Sequence, residues 1–452
     1  MLRFLLFFQI LYTVYELHFP LATGFAGLNL INLLFFATLL AMMLHREPDP
    51  VRTTPILRGA LLLFFVVLVI AYAIAQQRPP LAVETTDDIA YLKNAIFYPL
   101  LYFMYLRCKQ DLKTTRWLII FVLIVATLAG AQAIRQGLDY GIGTYVETHR
   151  ASGPFGTTFA MANRAGVYYA MFLPLFIALA LLLRKQRRWR FAALLGIAIL
   201  VPAILFTYSR QSYVIALVAA ALLFARRNVF LAALLGLIFV GAIGYLPDSV
   251  TERVADTRQE ARPGGDKYDV STESRWKIWQ GAMGMLQNYP QGVGLNRFET
   301  MIGRYTPEYA GYDAHNFYVL TVCECGIAGL LVLLWLLVRL FALAGMLRRS
   351  APADDAEARA LALGFTVAVL SMALGNLYGS PFLEGSVMGD FWILCGLLER
   401  YAHLKRSSSK ETSDEPPMQY RVWQPVPVTA RRLEPRRSLS HGDSPSTQLS
   451  IP

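Results

Sequence analysis

Charge is scarce in this chain. Asp, Glu, Lys and Arg supply 16% of its 452 residues, against roughly 25% in an ordinary soluble domain. That deficit excludes the string of two or three soluble domains that length alone would suggest. Cysteine is scarce as well: Cys108, Cys323, Cys325 and Cys395 are all there are. None falls in the longest loop, so no disulfide framework is expected, and Cys323-x-Cys325 lacks companion ligands for a metal. All four read as apolar helix residues.

What the chain has instead is apolar sequence. Hydrophobic residues make up 55% and the mean hydropathy is +0.42. Charges fall in short runs, and between the runs lie stretches near the ~20 apolar residues that cross a bilayer. Spans are expected at 3–18, 22–44, 57–76, 90–106, 116–134, 163–183, 191–208, 211–225, 229–246, 316–342, 358–377 and 388–401. The fold class is therefore all-α, a polytopic membrane protein with about 12 transmembrane helices. The first apolar run follows Arg3 as a secretory signal would, but no small-residue cleavage site follows it, so it reads as an uncleaved helix.

The net charge of +11 would raise nucleic acid as a partner for a soluble protein. Here the excess sits in short loops, at 45–58, 107–116, 184–190, 226–227 and 348–349, and in the tail. All of these fall on one side of a twelve-span chain, and positive loops stay in the cytoplasm. Both termini are thus expected inside, and the long loop 246–315 outside. Residues 1–401 form the membrane domain. The tail, 402–452, is rich in Ser and Pro, cannot bury a core, and is expected to be disordered. Its cations suit anionic membrane lipids.

Within the outer loop, Ser271-Thr272 before Glu273 reads as a helix start. Arg275, Trp279, Met283 and Leu286 recur at near-helical spacing and predict one amphipathic face. Asn288-Tyr289-Pro290 ends that helix, and Gly292-Val293-Gly294 makes a tight turn.

Five places carry chemistry on the outer side. Ser209-Arg210 joins two apolar spans; its guanidinium either forks onto a phosphate or snorkels to headgroups. His315-Asn316 lies where the long loop re-enters the membrane; the imidazole suits a general base, while helix capping is the plainer reading. Arg275, with Trp276 and Lys277, is a second anion clamp or a solvated helix face. Arg150-Ala-Ser-Gly153, followed by Asn163-Arg164-Ala-Gly166, lines a cavity or merely turns before a helix. Asp87-Asp88 holds a divalent metal or stabilises a helix N-terminus, and Lys93, one turn further on, pairs with that carboxylate or reaches for an anion.

In order and spacing these motifs resemble the O-antigen ligase and polysaccharide polymerase superfamily, membrane glycosyltransferases of the C type. The residues that carry the resemblance are Thr207-Tyr-Ser-Arg210-Gln-Ser, Arg275-x-x-x-Trp279, Pro290-Gln-Gly-Val-Gly294, Ala314-His315-Asn316 and Glu324-x-Gly326-x-x-Gly329, with Arg150-x-x-Gly153 and Asn163 upstream. The chain departs in Ala314 and Ala162, where the family often has proline. The resemblance implies transfer or polymerisation of a glycan from an undecaprenyl-pyrophosphate-linked donor to an acceptor hydroxyl, with inversion, at the periplasmic face of the bacterial inner membrane. The acceptor is another glycan or lipid A core, and other polysaccharide assembly proteins are candidate partners. It implies no cofactor and no metal. His315, Arg210 and Arg275 become the catalytic candidates, and Arg150, Asn163, Lys93, Asn316 and Trp279 the substrate-binding ones. The rival reading is a twelve-helix secondary transporter, which would show discontinuous helices and polar residues at mid-span.

Overall fold

The computed structural model describes residues 1–19, 29–78, 85–141, 146–156, 161–226, 228, 270–350, 352 and 354–414, without the side chains of 85–87, 270–272 and 409–414. The expected span at 229–246, the first part of the long loop, residues 415–452 and the Asp87 side chain lie outside that set. Met1–Ser408 forms one compact unit and Ser409–Pro452 a second.

Thirteen α-helices run among the described residues: α1 (Leu2–Tyr15), α2 (Leu30–Leu44), α3 (Arg58–Gln76), α4 (Thr85–Leu106), α5 (Leu112–Tyr140), α6 (Met161–Leu182), α7 (Arg187–Phe206), α8 (Arg210–Ala225), α9 (Val270–Asn288), α10 (Phe298–Ile302), α11 (Phe317–Ser350), α12 (Ala356–Gly375) and α13 (Gly385–Asp414). Six of them, α3, α5, α6, α7, α11 and α12, are long and apolar enough to cross a membrane, and α2 and α8 are shorter apolar helices. The chain is an all-α polytopic membrane protein. Helix α13 runs to Asp414, past the boundary expected at 401. Cys108 is buried but follows the end of α4, so only three of the four cysteines are helical.

The helices begin where the chain supplies caps. Asp111 accepts from the Thr114 amide at 2.9 Å to open α5, and Asp355 from the Ala358 amide at 3.0 Å to open α12, each satisfying a backbone donor that the first turn leaves unpaired. Helix α6 is the central pillar: 89% of its apolar stretch is buried, against 28% for α7. It packs on α12, α7 and α8. Small residues let the backbones close up, as where Gly364 of α12 sits over Leu175, whose Cα is 2.7 Å from where a Cβ would stand.

One helix is discontinuous. At Gly326 the φ of α11 is +72°, so its regular turn breaks. The loop after α9 fills the break: Val293 donates to the Cys323 carbonyl at 2.7 Å, Gly294 to that of Glu324 at 3.0 Å, and Ile327 to that of Pro290 at 3.2 Å. The Glu324 carboxylate accepts from the amides of Arg297 and Phe298. The backbone groups freed by the break are thus satisfied by protein.

The loops sort into two ends. Lys109 donates to the His45 carbonyl, Arg116 pairs with Glu357 and covers Trp189, and Arg400 pairs with Asp49. The basic segments 45–58, 107–116 and 184–190 therefore meet at one end. The turn 207–211, the 290–297 loop, His315 and the turn after α12 gather at the other.

Candidate active site

The turn that follows α12 is the junction of the second end. Asn376, the C-cap of α12, accepts the Phe317 amide on its carbonyl at 2.9 Å, while Gly379 accepts the same amide at 3.1 Å. The start of α11, and His315 just before it, are thereby pinned to this turn. Gln211 donates to the Gly375 carbonyl, which pins the start of α8. Tyr378 faces the ring of Trp279 at 6.1 Å and the guanidinium of Arg275 at 5.6 Å, which pins α9. Three segments far apart in sequence are held by five consecutive residues.

His315 has φ +48°, a left-handed conformation that costs a non-glycine residue about 1 kcal/mol or more. Its neighbours fix it there. Asn316 receives the amides of Tyr318 and Val319 on its side-chain oxygen, at 2.9 and 3.1 Å, and Trp279 donates to the Ala314 carbonyl at 2.9 Å. Capping is therefore what Asn316 does, and holding the His315 backbone is what Trp279 does; neither indole N–H nor amide oxygen is left to face a ligand. The imidazole is 43% exposed, with Nδ1 3.7 Å from the Asp313 carboxylate. Burial holds its pKa below the ordinary value; Asp313 opposes that, and the charges of Arg275 and Arg164 add to it. The ring is neutral at neutral pH, the form that accepts a proton.

Arg210 is the first residue of α8, half-buried, behind an N-cap in which Ser209 accepts from Ser212. The helix dipole adds positive potential at the guanidinium. The turn before it is built tightly. Tyr208 has φ +48°, and Gly166 of α6 lies against Ser212 and Thr207, with no room for a side chain. Arg150 is buried inside this arrangement, where its Nε donates to the Thr207 carbonyl at 3.0 Å and its Nη2 to Asn163. Arg150 and Asn163 thus brace the turn that carries Arg210.

Arg275 and Trp279 share one face of α9, one turn apart, and that face meets Tyr378. The buried side of the helix is Ile278, Ala282 and Met285, whereas Met283 is 58% exposed. The expected face is thus rotated: the segment 302–306 packs on Gly281 and Gly284 and draws the neighbouring positions inward. Lys277 pairs with Glu273 at 2.7 Å on the wet side, a solvated surface pair.

Asp88 is a buried structural anion. Arg297 forks onto both its oxygens, and Asn296 and Gln76 donate to it as well. Lys93 does not pair with it; its charge bears on Glu16, because Arg297 occupies Asp88 fully. The site also contains a cation that the sequence named only as part of a motif, with no role of its own. Arg164 pairs with Glu384 at 2.5 Å and its charge reaches His315. Its place beside Asn163 in the sequence was visible; its ion pair across 220 residues of chain was not.

Residues 195–334 match the family model Wzy_C, described as O-antigen ligase. No curated protein matches the chain. The matched segment contains the Arg210 turn, the Arg275 helix, His315 and the broken helix. Over residues 195–334 the chain is thus similar to the O-antigen ligase family.

Proposed function

We propose that the protein transfers or polymerises a glycan from an undecaprenyl-pyrophosphate-linked donor onto an acceptor hydroxyl, at the periplasmic face of the inner membrane, with both termini in the cytoplasm. The family match over residues 195–334 supports glycan transfer of the ligase or polymerase type. The observation that carries the reading is the junction after α12. There His315, neutral and held in a strained backbone, lies under the charges of Arg275 and Arg164, and Gln211 ties the start of the Arg210 helix to the same turn.

The acceptor hydroxyl attacks the anomeric carbon from the face opposite the pyrophosphate, and a single displacement inverts that centre. His315 takes the hydroxyl proton. The Asp313 carboxylate beside Nδ1 favours a proton on that nitrogen and leaves Nε2 as the base. As the bond to the pyrophosphate oxygen breaks, negative charge grows on the leaving group, and Arg210 and Arg275 stabilise it. Arg164 keeps His315 unprotonated and adds to the positive field. Arg150, Asn163, Asn316 and Trp279 position these groups. Lys93, over Glu16, stands at the margin of the cationic region. A donor with its own leaving group supplies the driving force, so the reaction asks for no nucleotide.

The discontinuity in α11 is the feature closest to a transporter. It lies about two and a half turns from the start of its helix and is filled by the 290–295 loop, and a break plugged by protein favours the enzyme. The test is direct. His315→Ala, inserted in membranes at normal level, is expected to make less than about 1% of the wild-type product, the usual scale of a lost general base. Normal product from that variant would remove the assignment.

A further inference from the structure

A groove of about 230 Å³ opens on the outside of the helix bundle between α5 and α7, with α6 as its floor. Its walls are aliphatic, including Ile120, Leu123, Ile124, Leu128, Leu179 and Leu195. One end is closed by Arg116 and Glu357, which pair in a two-point fork, and by Trp189, which lies 4.7 Å under the Arg116 guanidinium. Trp117 meets Trp189 edge-on at 6.0 Å. Beside that end runs the turn 184–190, where Arg184, Lys185, Arg187, Arg188 and Arg190 are all exposed. Among the described residues none of these five makes an ion pair.

We propose that this groove binds one anionic phospholipid, with an acyl chain between α5 and α7 and the phosphate on the 184–190 turn. Depth is the first argument. From Arg116 to Leu128 the groove follows α5 for about 18 Å, at 1.5 Å per residue, close to half of the ~30 Å hydrocarbon layer. It is one leaflet deep, the length of one chain. Charge is the second. Arg116 is already neutralised by Glu357, so the ion pair forms an end wall, while the five cations beside it are available to a phosphate. The paired tryptophans mark the level of the headgroups. The polyprenyl donor is a poor occupant. Its pyrophosphate belongs with Arg210, which follows the far end of α7, about 30 Å from the basic turn at helical rise.

The full-length protein in detergent, titrated with phosphatidylglycerol and with phosphatidylcholine of the same chains, tests this by native mass spectrometry. One phosphatidylglycerol is expected to bind at least about tenfold more tightly than phosphatidylcholine. The exposed double variant Arg187→Gln/Arg188→Gln should abolish that preference, and Ala192→Trp, which fills the groove from its exposed rim, should weaken both lipids. Phosphatidylglycerol brominated on its chains should quench wild-type fluorescence more than that of Trp189→Phe. Equal binding of the two lipids would overturn the proposal and leave only the ordinary lipid annulus. So would a preference that survives the charge variant, or displacement of the lipid by free glycerol phosphate, which would mean that the headgroup alone is held.

Discussion

Gln211 donates its side-chain amide to the carbonyl of Gly375, so the first turn of α8 is tied to the last turn of α12. Arg210 is the residue immediately before, and Asn376, the residue after Gly375, accepts the Phe317 amide. One side chain therefore sets the distance between the proposed phosphate clamp and the proposed base. Gln211→Leu removes the donor. The expected result is a fall in kcat of about tenfold, the equivalent of one net hydrogen bond of ~1.4 kcal/mol. KM and the unfolding temperature should move far less. A loss of activity matched by an equal loss of folded protein would show that the contact only stabilises.

The pH profile should report the surroundings of His315. Burial and two arginines hold its pKa below the ordinary ~6.5. A base is lost as pH falls through its pKa, so the acid limb of kcat/KM is expected below that value. Asp313→Asn removes the charge that favours protonation and should move the limb to still lower pH. Arg164→Gln removes a charge that disfavours it and should move the limb upward. Rates of glycan transfer measured from pH 4.5 to 8 would check both directions (the range is about two units either side of the ordinary value). A limb indifferent to both substitutions would mean that another group is titrating.

Arg210→Lys keeps the charge and loses the planar fork. An ammonium is a point charge, whereas guanidinium meets two phosphate oxygens at once. The expected loss in kcat is about tenfold or more, on the scale of one charge-assisted hydrogen bond at ~1.5–3 kcal/mol. Arg210→Gln should lose at least as much. Radiolabelled donor turnover in membranes separates these cases, and a lysine variant at the wild-type rate would reduce Arg210 to a headgroup anchor.

The buried fork between Asp88 and Arg297 ties α4 to the segment just before α10. Removing one partner strands a charge in an apolar setting, at a typical cost of about 3–5 kcal/mol. Asp88→Ala and Arg297→Met are each expected to lower the unfolding temperature sharply in detergent. The double variant Asp88→Leu/Arg297→Met should recover most of that loss, because two apolar groups need no partner. Additive losses in the double variant would deny the coupling.

The parts of the site that lie close together in the sequence were legible. Arg275 and Trp279 are one helical turn apart, and that spacing put both on the face that meets Tyr378. His315-Asn316 before an apolar run announced a helix start, and Asn316 does cap it. The basic loops announced a shared end, since charge pattern follows the membrane and not the tertiary packing. What stayed hidden depended on contacts between distant segments. Nothing near Asp88 points to Arg297, or near Arg164 to Glu384, because each pair is made by packing alone. The contacts of Arg150 with Thr207 and Asn163 were hidden for the same reason, since both lie on other elements. The break at Gly326 was written as a glycine inside a motif, but its purpose is visible only with the 290–295 loop in place.

Gly294 in that loop contrasts with Gly311 beyond α10, a glycine of like conformation. Gly294 has φ +102° and Gly311 φ +82°, so an alanine at either is strained by about 1 kcal/mol. At Gly311 a new Cβ meets nothing within 4 Å, while at Gly294 it falls 2.6 Å from the Cα of Ala75. The second clash is with backbone on α3 and cannot be relieved by a rotamer. Gly294 also donates to the Glu324 carbonyl that the helix break exposes, so displacing it unpairs a buried acceptor at a further cost of about 1–3 kcal/mol. Gly311→Ala should therefore leave expression and activity close to wild type. Gly294→Ala should lower the unfolding temperature by several degrees and reduce transfer with it, because the loop leads through Arg297 towards His315. Equal behaviour of the two variants in a thermal melt would mean that the loop does not seat against α3 as closely as these contacts require.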